Sequence, residues 1–90
     1  MAVSEAELRR AARILSDFGA TRVYVFGSAA RAPEQAGDID IACEGIPPAR
    51  YYAAVGAVIA GLGRDVDVLD LRDDPLSRLV LAEARRIDDH

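Results

Sequence analysis

The sequence predicts an α/β fold in which a small mixed sheet is flanked by helices. Segments with apolar residues at helical spacing alternate with short segments rich in β-branched residues, and the connections between these short segments differ in length. The 90 residues are 51% hydrophobic and 29% charged, a composition typical of one globular domain. We therefore expect residues 1–90 to form a single domain, without a second one to bind an acceptor substrate.

The first helix is predicted by a capping box at Ser4 and Glu7, a spacing that lets each residue bind the other's backbone N–H. Gly19 is a suitable residue to end it. The apolar residues of this segment recur at helical spacing: Leu8, Ala11, Ala12, Leu15 and Phe18. A β-branched and aromatic segment over residues 22–26 then predicts the first strand.

The rest of the chain predicts two more strands and two more helices. A loop at 31–37 precedes a strand at 38–43, and a strand at 65–70 precedes a helix at 75–84. Between the two strands, a helix begins near Pro47 and Pro48 and ends near Gly61 and Gly63. Its larger apolar residues recur at helical spacing: Tyr52, Val55, Val58, Ile59 and Leu62.

Connection lengths predict the topology. The link between the first two strands is shorter than a parallel crossover usually needs, which favours an antiparallel pair. The link between the second and third strands contains a whole helix, which favours a parallel pair.

Net charge, the length of the apolar stretches and cysteine content indicate which partners and which cellular compartment to expect. The net charge is −4, so we expect no direct binding to nucleic acid, which usually needs a basic surface. The longest apolar stretch, residues 51–63, is too short to span a bilayer, and the N-terminus lacks a signal-peptide core. Cys43 is the only cysteine, which is consistent with a reducing cytoplasm, and we expect it to be a small buried side chain.

Aspartates on predicted strands are the main indication of function, because aspartate is unfavourable in strands. Strand alternation places Asp38 and Asp40 on one face, and it likewise places Asp65 and Asp67 together. If the two strands are neighbours, three or four carboxylates converge. Neither strand has a lysine or arginine on this face, so divalent cations that also bind substrate phosphates would offset the repulsion. Strand alternation places Asp70 on the face opposite Asp65 and Asp67, and it is interpreted as a loop or capping acid.

Residues that could hold phosphates lie at the end of the first strand. Gly27 and Ser28 offer backbone N–H groups, a hydroxyl and a close approach without a Cβ atom. Arg31 follows within about one helical turn and could pair with a phosphate.

Three motifs in this order resemble the minimal nucleotidyltransferase family, which lies within the superfamily of DNA polymerase β and kanamycin nucleotidyltransferase. They are Val-Phe-Gly-Ser-Ala-Ala-Arg at 25–31, Gly-Asp-Ile-Asp-Ile at 37–41 and Val-Asp-Val-Leu-Asp-Leu at 66–71. The resemblance covers residues 23 to about 79 and implies the nucleotidyltransferase fold, similar to the polymerase β palm. The C-terminal residues 85–90 lack the glycine and the closing aromatic strand usual in this family.

The resemblance also implies roles for individual residues. Asp38, Asp40 and Asp67 correspond to the metal-binding carboxylates, with Asp67 helping to deprotonate the acceptor hydroxyl. Gly27 and Ser28 correspond to the turn that binds the nucleotide phosphates. Two Mg²⁺ ions about 4 Å apart would then activate the attacking hydroxyl and stabilise the departing pyrophosphate.

Family members are often antitoxins encoded beside small helical HEPN proteins. The resemblance therefore implies transfer of AMP from ATP to a tyrosine hydroxyl of a HEPN toxin, within a hetero-oligomer. The alternative is a non-catalytic antitoxin or regulatory subunit that neutralises its partner by docking. Adenylylation of a small molecule is a third hypothesis, but 90 residues leave little room for an acceptor pocket.

Each candidate residue also has a purely structural interpretation. Asp38, Asp40 and Asp67 could be solvated surface acids, Arg31 an ordinary surface charge, and Ser28 could act only through its backbone. Asp65 is interpreted as a solvated residue at a strand start. Tyr51 and Tyr52 are interpreted as core and surface residues of a helix rather than residues that stack on a nucleotide.

Overall fold

Two helices and four strands are found in the described part of the chain, which comprises residues 3–27, 39–71, 82 and 84–88 of the computed structural model. They are α1 (Glu5–Asp17), β1 (Arg22–Phe26), β2 (Ile39–Glu44), α2 (Pro48–Leu62), β3 (Val66–Asp70) and β4 (Arg85–Arg86). The predicted elements within these ranges are confirmed to within one or two residues. The predicted loop at 31–37 lies outside the described residues, as does nearly all of the predicted helix at 75–84.

The strands form one mixed sheet in the order β3–β2–β1–β4. β1 and β2 are antiparallel, and β2 and β3 are parallel, so both relations predicted from connection lengths are confirmed. The short β4 pairs antiparallel with β1, which the sequence did not predict. Backbone and side-chain hydrogen bonds to Val23 hold this segment, because the Ile87 N–H donates to the Val23 carbonyl (2.8 Å) and Asp88 accepts from the Val23 N–H (3.0 Å).

The hydrophobic core lies between one face of the sheet and the two helices. The sheet contributes alternate residues of β1, β2 and β3, and the buried residues of α1 match four of its five predicted apolar positions, while Phe18 is half-buried. Cys43 is buried in this core as predicted, and burial raises the pKa of its thiol to about 11. Side chains of the intervening strand residues, including Asp40 and Asp67, therefore lie on the opposite face of the sheet.

The capping box of α1 is confirmed in full. The Ser4 hydroxyl accepts a hydrogen bond from the Glu7 N–H (3.1 Å), and the Glu7 carboxylate accepts one from the Ser4 N–H (3.1 Å). The same carboxylate pairs with Arg64 (3.2 Å), which precedes β3, so the start of α1 is linked to the far edge of the sheet. The hydrogen bond from the Ser4 backbone is the main reason that the pKa of Glu7 is lowered.

The buried face of α2 differs from the one that its larger residues indicate. Ala54 and Val58 are buried, whereas Tyr52 is 84% exposed and Ile59 is 36% exposed. The helix is apolar on nearly every side, so its periodicity does not determine which side packs on the core. Packing against α1 determines it instead, because a Cβ atom at Gly61 would lie only 2.6 Å from Cδ1 of Ile14.

No helix among the described residues is both long enough and apolar enough to cross a bilayer.

Gly63 ends α2 in the left-handed conformation with φ +67°, and its N–H donates to the Ile59 carbonyl (2.9 Å). This cap returns the chain to the edge of the sheet where β3 begins.

Candidate active site

Asp40 and Asp67 are direct neighbours in the sheet. They are register partners in the parallel pair of β2 and β3, and on its other side Asp40 is opposite Phe26 of β1. Residues in register point to the same face, so the two carboxylates share the face opposite the core. Asp40 is half-buried in β2, which lies inside the sheet, whereas Asp67 is exposed in the edge strand β3. The predicted convergence of the two acidic strands is confirmed for this pair.

Gly27 lies directly against the Asp40 carboxylate. A Cβ atom at position 27 would be 2.8 Å from Oδ2 of Asp40, closer than real Cβ atoms approach other heavy atoms. The backbone at Gly27 also has φ +68°, a conformation that favours glycine. The close approach and the left-handed backbone both arise because β1 ends in a turn beside β2. The predicted glycine turn and Asp40, a predicted metal ligand, are therefore in contact.

Three of the predicted site residues, Ser28, Arg31 and Asp38, lie outside the described residues, and their roles remain predictions. Within the described ranges, no three His, Cys, Asp or Glu side chains are grouped so that they could hold a metal ion. Asp65 is exposed and lies just before β3, in agreement with its interpretation as a solvated acid. A site of three carboxylates therefore requires a ligand beyond the Asp40–Asp67 pair, and Asp38 is the residue that the sequence predicts.

Asp70 is separate from this pair. It is the last residue of β3 and is opposite Cys43, on the core side of the sheet and at the far end from Asp40 and Asp67. It lies close enough to contribute, after burial, to the raised pKa values of Cys43 and Tyr51. The prediction that Asp70 is not a site residue is consistent with this position, although it lies within the strand rather than in a loop.

The paired carboxylates limit what this surface can bind. Two unit negative charges about 4 Å apart repel by roughly 4 kcal/mol at the effective dielectric of a protein surface. Hard divalent cations are bound by carboxylate oxygens and usually complete their coordination with water and substrate phosphates. The donor set of Asp40 and Asp67 therefore fits a cation such as Mg²⁺.

Solved structures with the same fold are known. A protein assigned as a minimal nucleotidyltransferase is 28% identical, with a TM-score of 0.72 over 89% of this chain and 88% of that one. A chain of a toxin–antitoxin structure with AMP-PNP is 22% identical, with a TM-score of 0.71 over 94% of this chain and 73% of that one. A chain of the Shewanella oneidensis complex of a tri-AMPylated HEPN toxin with an MNT antitoxin is 22% identical, with a TM-score of 0.68 over 91% and 69%.

No protein-family model and no curated protein matches the sequence. The structural neighbours nevertheless share the fold of this chain over most of its length. The chain has the fold of the minimal nucleotidyltransferases, and the resemblance to that family inferred from its sequence is confirmed by structure.

Proposed function

We propose that this protein is a Mg²⁺-dependent nucleotidyltransferase that transfers AMP from ATP to a hydroxyl group of a HEPN toxin and thereby acts as its antitoxin. The observation that carries the proposal is the register pairing of Asp40 with Asp67, with Gly27 packed against Asp40. Neighbours of the same fold support the choice of substrates, since one is a complex of an MNT antitoxin with a tri-AMPylated HEPN toxin.

In the proposed reaction, an acceptor hydroxyl, expected to belong to a tyrosine, attacks the α-phosphorus of ATP. A new oxygen–phosphorus bond forms, the bond to the bridging oxygen of the β-phosphate breaks, and pyrophosphate leaves with that electron pair. The hydroxyl proton passes to the Asp67 carboxylate, whose exposed position makes it accessible to an acceptor on another chain. The protein forms no covalent intermediate, so catalysis depends on positioning and charge stabilisation.

The remaining site residues would bind the nucleotide. Backbone N–H groups at Gly27 and Ser28 and the Arg31 guanidinium would hold the phosphates. Asp38, Asp40 and Asp67 would hold the Mg²⁺ ions, which supply charge compensation for the phosphates and the leaving group.

Intact-mass measurement of a HEPN partner from the same genome tests this proposal. The partner is incubated with ATP, Mg²⁺ and either the natural protein or the double variant Asp38→Ala, Asp40→Ala. We expect mass increments of AMP with the natural protein and none with the double variant, while Asp65→Ala retains transfer. Circular dichroism would confirm that each variant is folded.

Neutralisation of the toxin in cells separates catalysis from docking. If the double variant is inactive in transfer but still neutralises the toxin, docking alone is sufficient and the antitoxin function is not enzymatic. Unchanged transfer by the double variant would show that the site assignment is wrong.

A further inference from the structure

Most of the solvent-facing side of α2 is apolar, and Arg50 is the only charged residue of this helix. Tyr52 and Ile59, on this helix, are two of the three large exposed hydrophobic residues in the described part of the chain. Seven of the exposed positions of α2 and its C-terminal cap recur at helical spacing and form one continuous face, which we call the α2 face: Ala49, Tyr52, Ala53, Gly56, Ile59, Ala60 and Gly63. Arg50 lies to one side of this face, with its guanidinium 5.2 Å from the centre of the Phe18 ring.

Gly56 lies at the centre of the α2 face and has no internal packing role. A Cβ atom there would meet nothing within 4 Å, in contrast to Gly61, where a Cβ atom would meet Ile14. Glycine in the middle of a helix is less stable than alanine because the unfolded chain gains more freedom. The space beside Gly56 is therefore open, and the fold of this chain does not use it.

Large and small residues on the α2 face lie at equal distances on either side of Gly56, so the face is complementary in shape to a second copy of itself. In an antiparallel pair of α2 helices crossing at Gly56, Tyr52 of one copy would be opposite Ala60 of the other, and Ala53 would be opposite Ile59. Each large side chain then meets a small one, and the two glycines allow close approach at the centre. A twofold interface requires such a self-complementary surface. We infer that the α2 face binds the α2 face of a second copy of this chain.

Charge and position also favour a second copy. The chain has a net charge of −4, yet no acidic residue occurs between Glu44 and Asp65, so the α2 helix carries none of the negative charge that would oppose association of two copies. The α2 helix packs on the core face of the sheet, whereas Asp40 and Asp67 lie on the opposite face. Association through α2 therefore leaves both carboxylate pairs accessible, and the inference does not depend on the proposed function.

The expected dimer is weak. A stable interface of standard size buries about 800 Å² on each partner, whereas the whole chain exposes 5506 Å². We expect one helix face of mostly small residues to bury less than this standard area, so dilution should dissociate the dimer. The contact should therefore be measured over a series of protein concentrations.

Sedimentation equilibrium tests the inference with a matched pair of variants. Ala53→Arg places a charge on the α2 face, and Ala6→Arg places the same charge at an exposed alanine of α1. We expect the natural protein and Ala6→Arg to reach twice the 9.6 kDa monomer mass with rising concentration, while Ala53→Arg stays monomeric. A natural protein that stays monomeric, or an Ala53→Arg variant that still dimerises, would overturn the inference.

Cysteine cross-linking tests the predicted geometry. Gly56→Cys would bring two thiols together at the twofold axis, within the Cα separation of about 4.4–6.8 Å that a disulfide needs. We expect a disulfide-linked dimer under mild oxidation with Gly56→Cys and none with Ala6→Cys, while the buried native Cys43 does not react. The absence of a cross-link in Gly56→Cys, or loss of HEPN binding in Ala53→Arg with a monomeric natural protein, would assign the α2 face to another partner or to none.

Discussion

The contact between Gly27 and Asp40 restricts residue 27 in two independent ways. The left-handed backbone disfavours any L side chain, and the Asp40 carboxylate occupies the space that a Cβ atom would take. Gly63 has nearly the same backbone, with φ +67°, but no atom within 4 Å of a Cβ position. The two glycines therefore allow the backbone effect to be separated from displacement of the carboxylate.

Replacement of either glycine by alanine should lower stability, but only one replacement should affect the site. We expect Gly27→Ala and Gly63→Ala each to lose about 1–2 kcal/mol of unfolding free energy because of the left-handed backbone. Only Gly27→Ala should also lose Mg²⁺-dependent nucleotidyl transfer, since it displaces the Asp40 carboxylate. Urea unfolding and a transfer assay measure the two effects. Equal transfer activities in the two folded variants would contradict a role for the Gly27–Asp40 contact.

Like charges at Asp40 and Asp67 should couple stability to divalent cations. Opposed like charges on neighbouring strands are destabilising, and a cation that binds only the folded state stabilises it in proportion to its affinity. We expect Mg²⁺ to raise the melting temperature of the natural protein and to have little effect on Asp67→Asn. Differential scanning calorimetry with K⁺ at matched ionic strength provides the control. An equal Mg²⁺ effect in both proteins would place cation binding elsewhere.

The sequence predicted Asp40 and Asp67 as site residues but did not predict the register that places them opposite each other. Two-residue alternation placed Asp65 and Asp67 on the same face, so only the family motif distinguished them. The register distinguishes them physically, because Asp67 is the residue opposite Asp40 and Asp65 lies before β3. Register in a parallel pair depends on how the intervening helix packs against the core, and short-range patterns, which predict that the helix exists, do not encode its packing.

Glu7, in the capping box of α1, should make the stability of the fold depend on pH. The pKa of Glu7 is lowered from its ordinary value of 4.5, first by the hydrogen bond from the Ser4 backbone and also by Arg64. A carboxyl group with a lower pKa in the folded state stabilises the fold above its unfolded pKa. This contribution is lost as the pH falls through the folded pKa, because the unfolded chain then binds more protons.

Glu7→Gln should therefore reduce the acid sensitivity of the fold. Glutamine can still accept the hydrogen bond of the capping box, so the cap is retained while the titration is removed. We expect the melting temperatures of Glu7→Gln and the natural protein to converge as the pH falls below 4.5 and to differ at neutral pH. Asp17→Asn, at the end of the same helix, is the control. A constant difference across the pH range would show that Glu7 does not contribute through ionisation.

A hydrogen bond from one hydroxyl group adds to the core packing between α2 and the edge strand β3. The Tyr51 hydroxyl donates a hydrogen bond to the backbone carbonyl of Val68, and burial raises the pKa of Tyr51. We expect Tyr51→Phe to lose about 1 kcal/mol of unfolding free energy, whereas Tyr52→Phe changes little because Tyr52 is exposed. Urea unfolding of both variants measures the difference. Equal losses would show that the Val68 contact does not stabilise the fold.

The boundaries of the helices were easier to predict than the faces they bury. The Ser4–Glu7 box and the Gly63 cap mark helix ends through local hydrogen bonds and backbone conformation, which are readable from sequence. The buried face of α2 depends on the close approach of Ile14 to Gly61, a contact between residues distant in the chain. A helix with apolar residues on all sides gives no pattern from which that contact can be inferred.

At the scale of the whole molecule, connection lengths predicted the relative directions of the three main strands, and the structure adds their order in the sheet. The fourth strand was not predicted, because Arg85 and Arg86 have no strand pattern. Tertiary contacts determine this strand instead, through the hydrogen bonds that link Ile87 and Asp88 to Val23. A local ion pair of Arg86 with Asp88 (2.8 Å) holds the Asp88 carboxylate in place. Arg85 also pairs with Glu5 of α1 (2.7 Å), which connects the last strand to the first helix.

The sheet as a whole brings Gly27, Asp40 and Asp67 together from the end of β1 and from β2 and β3, and we propose that this group carries out nucleotidyl transfer. Transfer of label from α-labelled ATP to a HEPN partner, with Mg²⁺, should be measured for Asp67→Asn and Asp65→Asn. The two substitutions are identical in chemistry and two positions apart, but only Asp67 is opposite Asp40. Loss of the Asp67 carboxylate should slow transfer by roughly 100-fold or more, while Asp65→Asn remains close to the natural protein. Equal transfer by both variants, or no transfer by the natural protein, would contradict the proposed site.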